Sequence, residues 1–448
     1  MTQETDILDA LSVIQDPDLH KDIVSLGFIK NLQISNESDV SFTIELTTPA
    51  CPVKEDFKKQ AYEAVRHLSW VREIHIELSS SRKPQASSAQ KGLSKVANII
   101  GVSSCKGGVG KSTVAVNLAY SLSKLGATVG IFDADIYGPS LPTMVDIQDP
   151  HLYLDGELLK PFNAGPVKLM SFGFVQHEDE SSSAAMMRGP MVSQVINQLL
   201  TGTNWGELDY LVIDMPPGTG DIQLTLGQLI PMTAAVIVTT PQYISFIDVV
   251  KGIELFQTLK VPAIAVVENM SYYLCGSCQT KHAIFGNGAV QRLKKEFGFN
   301  HTFSFPILPN ISHSCDNGVP YVIRYPEDEV SSIYLKLAET VAREVSKIKF
   351  GAYELPNISY DKSLGVLIKY DNQDGFYIAC KTLRLSCRCA KCQEEFTGKP
   401  LLDANSISSD IYPLSMNPVG NYALGINWSD QHSSLYPYDF LKTFSSSI

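Results

Sequence analysis

Hydrophobic positions along this chain fall into distinct rhythms. From about residue 96 onward they come as short unbroken apolar runs: VANIIGVSS from Val96, TVGIF over 128–132, YLVID ending at Asp214, AAVIVT from Ala234 and AIAVV from Ala263. Runs of this length bounded by turn residues predict strands buried on both faces, the habit of a parallel sheet. Between them, stretches such as TVAVNLAYSLSKLG space apolar residues three and four apart, the helical period. Strands alternating with helices predict a central α/β domain, a doubly wound, mostly parallel sheet over residues 96–348. The N-terminal part reads differently. DILDALSVIQ predicts an amphipathic helix that Pro17 helps to end, and NLQISNESDVSFTIELTT alternates in strand fashion around a turn at SNESD. VKEDFKKQAYEAVRHL is helical again and VREIHIEL a last strand, giving a small α+β domain over 1–79. The Ser-rich, aperiodic SSSRKPQASSAQKG predicts a linker, with residues 80–95 separating the two domains. A third domain, small and β-rich, is expected over 352–448.

Chemistry enters at SSCKGGVGKST, residues 103–113. Lys111 holds the G-K-[ST] position of a phosphate-binding loop, where its ammonium reaches the β/γ-phosphates and Ser112 binds Mg²⁺. Gly107, Gly108, Val109, Gly110 and Thr113 supply the rest of the cradle, at a strand–loop–helix junction. Cys105 stands where such a loop has its first glycine, either as a thiol activated by its surroundings or as a small residue tolerated in a tight turn. Two further strands end in carboxylates: FDAD in Asp133 and Asp135, and YLVID in Asp214 followed by the turn PPGTGD. Strand-end carboxylates face the ligand crevice of an open α/β sheet. Asp214 fits a role holding Mg²⁺ through the ion's bound water and Asp135 a position polarising the attacking water, with Gly218, Thr219 and Gly220 near the γ-phosphate. Singly, such aspartates cap turns; three elements in this order predict an ATP-binding switch.

A second lysine in the loop, Lys106, gives it the deviant form found in MinD, ArsA and the nitrogenase iron protein. The resemblance implies that Lys106 crosses a dimer interface to the partner's nucleotide. Further along, ENM places Asn269 at a strand end, and Cys275 and Cys278 form a C-x-x-C. By chemistry alone that pair has three readings: a redox couple, half of a four-thiolate zinc site, or half of a [4Fe–4S] site completed by a second protomer. Over about residues 96–347, the motifs KGGVGKST, FDADIYGPSLP, RGPM, DMPPGTGD, ENM and C-x-x-C with FGNG resemble the Mrp-type P-loop ATPases that carry iron–sulfur clusters. The flanking domains sharpen this toward the plastid high-chlorophyll-fluorescence branch and its bacterial relatives. The resemblance implies a homodimer with Cys275 and Cys278 of each chain bridging a labile [4Fe–4S] cluster, Asn269 at the adenine edge, apo iron–sulfur proteins as clients and a cluster-assembly scaffold upstream.

The flanks carry their own signals. Asp16-Pro17-Asp18-Leu19 and Thr47 to Pro52 resemble the domain shared with iron–sulfur targeting factors. There Cys51 is either a thiolate at a helix start or a packed structural cysteine. LRLSCRCAKCQEEF sets Cys387, Cys389 and Cys392 at a spacing no periodicity requires. The stretch resembles the N-terminal domain of γ-butyrobetaine hydroxylase, which implies a structural Zn²⁺ completed by His432; binding of a cluster by these cysteines is the alternative reading. Cys315 and Cys380 have no partner at metal spacing and read as packing residues, and His313–Cys315 as loop.

Composition narrows the classes. The 448 residues carry 36 basic and 47 acidic side chains, a net charge of −11, which argues against nucleic acid or an anionic membrane as the main partner. No apolar run is long enough to span a membrane. The nine cysteines suit a reducing compartment, and MTQETDILDALSVIQDPD has the character of neither a signal nor a transit peptide. The expected setting is bacterial cytosol, or plastid stroma for a processed form. The expected activity is slow, switch-like ATP hydrolysis coupled to cluster transfer. Rival readings are a MinD/ParA-like positioning ATPase, which requires a basic face, and an ATP-driven electron donor of the nitrogenase iron-protein kind.

Overall fold

The unbroken apolar runs become strands. The chain's structure, a computed structural model, describes residues 3–80, 90–175, 189–218, 220–278, 280–286, 289–351, 355–370, 374–389, 391–393, 399–419 and 423–447. Residues 81–89 of the expected linker, Arg188 of RGPM, Thr219, and Asn287 and Gly288 of FGNG lie outside the described residues. Two units emerge, Met1–Val238 with Leu308–Ala352, and Thr239–Ile307 with Tyr353–Ile448.

The first unit holds the phosphate-loop sheet. Its strands lie in the order Ala234–Thr239, Ile99–Ser103, Tyr210–Asp214, Val129–Asp133, Val167–Ser171, Phe162–Ala164. All pairs are parallel except the last. Every residue of the strands Ile99–Ser103, Val129–Asp133 and Tyr210–Asp214 is buried, as two-sided burial of a parallel sheet requires. Helix Lys111–Lys124 follows the first of these strands and is itself buried along most of its length, so it is a core helix with apolar residues on more than one face.

The N-terminal α+β module belongs to the same unit. Val40, Phe42, Ile44 and Leu46 alternate along one strand and face Phe57, Ala61 and Val65, spaced four apart on helix Lys54–Arg66. The module is joined to the sheet's back end. Lys54 Nζ donates to the carbonyl of Leu125, which caps the C-terminus of helix Lys111–Lys124, where a cation offsets the helix dipole. Tyr210 Oη donates to Thr48 Oγ1 at 2.8 Å, Ser346 Oγ to Thr47 Oγ1 at 2.9 Å, and Phe28 meets Phe350 edge-on. A 14-residue helix is about 21 Å long, so the module sits roughly that far from the phosphate loop.

Three local expectations are corrected. The first helix ends at Leu11, well before Pro17, because residues 12–23 fold back: Asp16 accepts from the N–H groups of Asp18 and Leu19, and Ile14 and Leu19 tuck into the core. Ser79 and Ser80, read as linker, complete the strand Ile74–Ser80. The tract around His313 is the helix Pro309–Asp316, with Pro309 in the first turn, where its missing N–H costs nothing.

In the second unit, strand Ala263–Leu274 pairs parallel with Thr302–Ile307 and antiparallel with Lys281–His282. The C-terminal part is β-rich, with two antiparallel three-stranded sheets, Asn357–Asp361, Gly365–Lys369, Phe376–Ile378 and Pro413–Val419, Ala423–Trp428, Ser433–Pro437. They share a core of Val366, Ile368, Ile378, Leu424, Trp428 and Tyr436, with Cys380 packed against it. Among the described residues no helix is long and apolar enough to cross a membrane.

Candidate nucleotide and metal sites

Strand Ile99–Ser103 ends at the loop, and Gly110 caps the helix that follows with φ of 81°; Gly108 has φ of 75°. A side chain in that left-handed region costs roughly 1–2 kcal/mol, so glycine is required twice. No side chain caps helix Lys111–Lys124. Its first N–H groups are therefore left for an anion, which fits the loop to the phosphates of a nucleotide.

Lys111 is buried and its Nζ forms an ion pair with the Asp214 carboxylate, their side chains only 7% and 3% exposed. The same Nζ lies 3.5 Å from Ser112 Oγ. Asp133 stands beside Asp214 in the parallel register. Burial, and after it the charge of Asp214, pushes the Asp133 carboxyl up to about 7. Asp133 also shapes the following loop: it accepts from the N–H groups of Asp135, Ser140 and Leu141 at 3.0 to 3.1 Å, and from Ser171 Oγ at 3.2 Å. Asp135, half-buried and accepting from Gly138 N–H, is raised by burial against the pull of Lys111. The turn after Asp214 is tied to the phosphate loop. Gly218 N–H donates to Ser104 O at 3.0 Å, and buried Gln223 donates to Pro216 O while accepting from Ser103 Oγ. The structure thus brings together Lys111, Ser112, Asp135 and Asp214. Lys106 and Cys105 are half-buried in the loop, with Ser104 Oγ donating to Lys106 O. Asn269 lies in the second unit, buried on strand Ala263–Leu274 just before Met270, whose φ is 56°.

Cys275 and Cys278 occupy the hairpin loop after that strand. Cys275 N–H donates to Thr280 O at 3.0 Å, closing the loop. Cys278 is exposed, and hydrogen bonding, from Thr280 first and then Cys275 and His282, holds its thiol down at about 7. A thiol in that range is a ready metal ligand.

Cys387, Cys389, Cys392 and His432 converge in the C-terminal part, their ligand atoms all within 4.8 Å of one another. His432 Nε2 lies 3.4, 3.5 and 3.6 Å from the three sulfurs. A tetrahedron with arms of about 2.3 Å to sulfur and about 2.0–2.1 Å to nitrogen has S···N edges of about 3.5 Å, so the set fits Zn²⁺. The thiols titrate as a group: Cys387 is pushed up and Cys389 down to about 4, each chiefly by the hydrogen bond between them. Buried Arg384 donates to Cys392 Sγ at 3.3 Å and pairs with Asp430 at 2.9 Å, and Asp430 accepts from His432 N–H. Such outer partners orient ligands and offset thiolate charge.

Cys51 is packed, and burial pushes its thiol up to about 11, which favours the structural reading. Sequence reasoning missed Asp133 as the organiser of the loop 135–141, Gln223, Arg384 with Asp430, and His282 beside the C-x-x-C. Only FDAD and the histidine four residues past Cys278 left any signal.

Three family matches tile the chain. Residues 95–342 match the ParA family described as NUBPL iron-transfer P-loop NTPase, residues 4–78 an iron–sulfur cluster assembly protein family, and residues 359–442 the γ-butyrobetaine hydroxylase-like N-terminal family. The chain is 48% identical over 444 residues to the chloroplastic Fe–S cluster assembly factor HCF101 of Oryza sativa subsp. japonica, spanning 98% of this chain and 82% of that protein. It is 41% identical over 347 residues to an iron–sulfur cluster carrier protein of Synechocystis, covering 76% of this chain and 97% of the relative. Among solved structures, the nucleotide-binding protein of Archaeoglobus fulgidus with ADP aligns over 56% of this chain and 98% of its own, at 32% identity and a TM-score of 0.48. With more than half of its residues in the first match and a near full-length relative at 48% identity, this chain belongs to the NUBPL-type iron-transfer P-loop NTPases of the ParA family.

Proposed function

We propose that the chain is an ATP-dependent iron–sulfur cluster carrier. As a homodimer it holds a labile [4Fe–4S] cluster, its cargo, on Cys275 and Cys278 of both protomers and passes it to apo-proteins after loading from an assembly scaffold. The observation that carries this reading is a C-x-x-C hairpin with Cys278 exposed and Cys275 half-buried, in a chain whose phosphate loop pairs Lys111 with Asp214. A cargo site must be exposed to hand its contents on, and buried charges suit a switch. The compartment proposed is the bacterial cytosol, or the plastid stroma for a processed form, the second supported by the chloroplastic relative.

The roles follow from position. ATP phosphates would draw Lys111 away from Asp214; Ser112 and the freed Asp214 carboxylate are the residues that would hold Mg²⁺, which would offset phosphate charge. Asp135 orients the attacking water, and Lys106 reaches the partner's nucleotide. Hydrolysis is slow because the carboxylates must be rearranged before attack, and it acts as the switch that moves the two cysteine pairs. The Cys387, Cys389, Cys392 and His432 set holds Zn²⁺ with no open position, a structural site.

Anaerobic reconstitution with iron and sulfide, read by metal analysis and the visible spectrum, tests the cargo site. Cys275→Ser abolishes both the cluster and transfer to apo-aconitase; a variant that keeps full iron content moves the cluster elsewhere and sinks the assignment. Retention of the cluster by the native chain in the presence of apo-aconitase and ATP favours an electron donor instead.

A further inference from the structure

The hairpin that carries Cys275 and Cys278 returns along Lys281–His282, in the register Tyr273 opposite His282 and Leu274 opposite Lys281. Directly opposed residues share a face of a sheet, and successive residues alternate between faces. Lys281 goes to the side of Tyr272 and Leu274: its Nζ lies 4.4 Å from the Tyr272 ring centroid. Tyr273, Cys275 and His282 are thereby directed to the opposite side. The Cys275–Thr280 backbone bond folds the loop back, and the Cys275 and Cys278 sulfurs and a His282 ring nitrogen all come within 4.8 Å of one another. Cys278 and His282 are exposed and Cys275 half-buried, so packing does not explain their convergence. Two thiols and an imidazole at this spacing are the ligand types that Zn²⁺ and similar late divalent ions take.

We infer that His282 is a third metal ligand: one chain, without a partner, binds a single Zn²⁺-class ion through Cys275, Cys278 and His282, with the fourth position open to solvent. The inference rests on reading Cys275 and Cys278 as metal ligands. Binding releases the protons of the two thiols to solvent. A cluster bridging two protomers uses four thiolates and needs nothing from His282, so the same two thiols serve two exclusive states. A mononuclear ion occupies them in the single chain, and the cluster occupies them across the dimer.

Co²⁺, whose visible bands report ligand type and number, is the probe, added to the full-length, cluster-free and nucleotide-free protein. The wild type is expected to take up about two Co²⁺ per chain, one at each cysteine–histidine set, and to sediment as a monomer. Cys275→Ser removes one of them. His282→Ala weakens that same ion by more than the ~10–100-fold typical of losing an outer-shell partner, alters its bands, and leaves reconstituted iron and sulfide unchanged. His282 is exposed, so its replacement does not threaten folding. A His282→Ala protein with wild-type cobalt affinity and spectrum overturns the inference while leaving the cysteine reading intact. Half an ion per chain on a four-thiolate dimer overturns it in favour of bridging. Wild-type binding in both variants overturns the cysteine reading as well.

Discussion

Lys111 and Asp214 neutralise each other inside the first unit, and what happens when one is removed separates structure from function. Lys111→Ala leaves a buried carboxylate unpaired, which costs about 3–5 kcal/mol, and it removes the charge that faces the β/γ-phosphates. The expected outcome is a lowered denaturation midpoint together with loss of ATP binding, read by titration calorimetry. Lys106→Ala keeps most of the binding and lowers hydrolysis; equal loss of binding in both variants places Lys106 within its own protomer. Asp133 gives a pH signature. Its carboxyl is raised from 3.8 to about 7, so the folded, nucleotide-free chain binds more protons there than the unfolded chain between those values. By linkage, that residue's contribution to stability is present below about pH 4 and is lost as pH rises toward 7. Melting temperature against pH should show this fall in the wild type and a flatter profile in Asp133→Asn. Identical slopes refute the raised pKa.

At the scale of elements, the junction between strand Ile99–Ser103 and helix Lys111–Lys124 depends on a backbone that only glycine adopts without strain. Gly110→Ala forces a Cβ into φ of 81° at the helix cap. The expected result is a stability loss of roughly 1–2 kcal/mol and a much larger loss of nucleotide affinity, because the strain is relieved by moving the N–H groups that bind phosphate. Calorimetry on the same sample reads both; unchanged affinity would show that the cap does not shape the phosphate site. The far end of the same helix receives Lys54 from the N-terminal module, so one helix joins the phosphate loop to a second small core.

For the whole molecule, two kinds of ligand are expected to stabilise different parts. A nucleotide at 100 times its Kd adds about 2.7 kcal/mol to the part that binds it. Zinc is instead expected to hold together the C-terminal sheets, through Cys387, Cys389, Cys392 and His432 in the turn before Ser433–Pro437. Scanning calorimetry of the full chain should therefore show a transition that a strong chelator abolishes and another that Mg-ATP moves upward. His432→Ala should lose about one zinc per chain while ATP hydrolysis persists. A chelated chain with an unaltered thermogram argues against a structural metal.

Local patterns carried much of this protein. Unbroken apolar runs became parallel strands because burial on both faces leaves no room for polar alternation, and the loop's glycines announced backbone geometry directly. The C-x-C-x-x-C spacing gathered three thiols on one short segment. The pattern along the chain did not contain the relations between distant segments. Lys111 meets Asp214 across 103 positions, and Asp133 takes its elevated pKa from burial first and then from the charge of Asp214. His282 joins Cys275 only through the register of a hairpin, and Arg384 reaches Asp430 across 46 residues. The first helix stops at Leu11 because a later turn folds back to bury Ile14 and Leu19. Periodicity reports which face of one element is apolar. Which charged groups share a buried space, and what protonation each then holds, is set by loop closure and packing, and tertiary structure alone decides it.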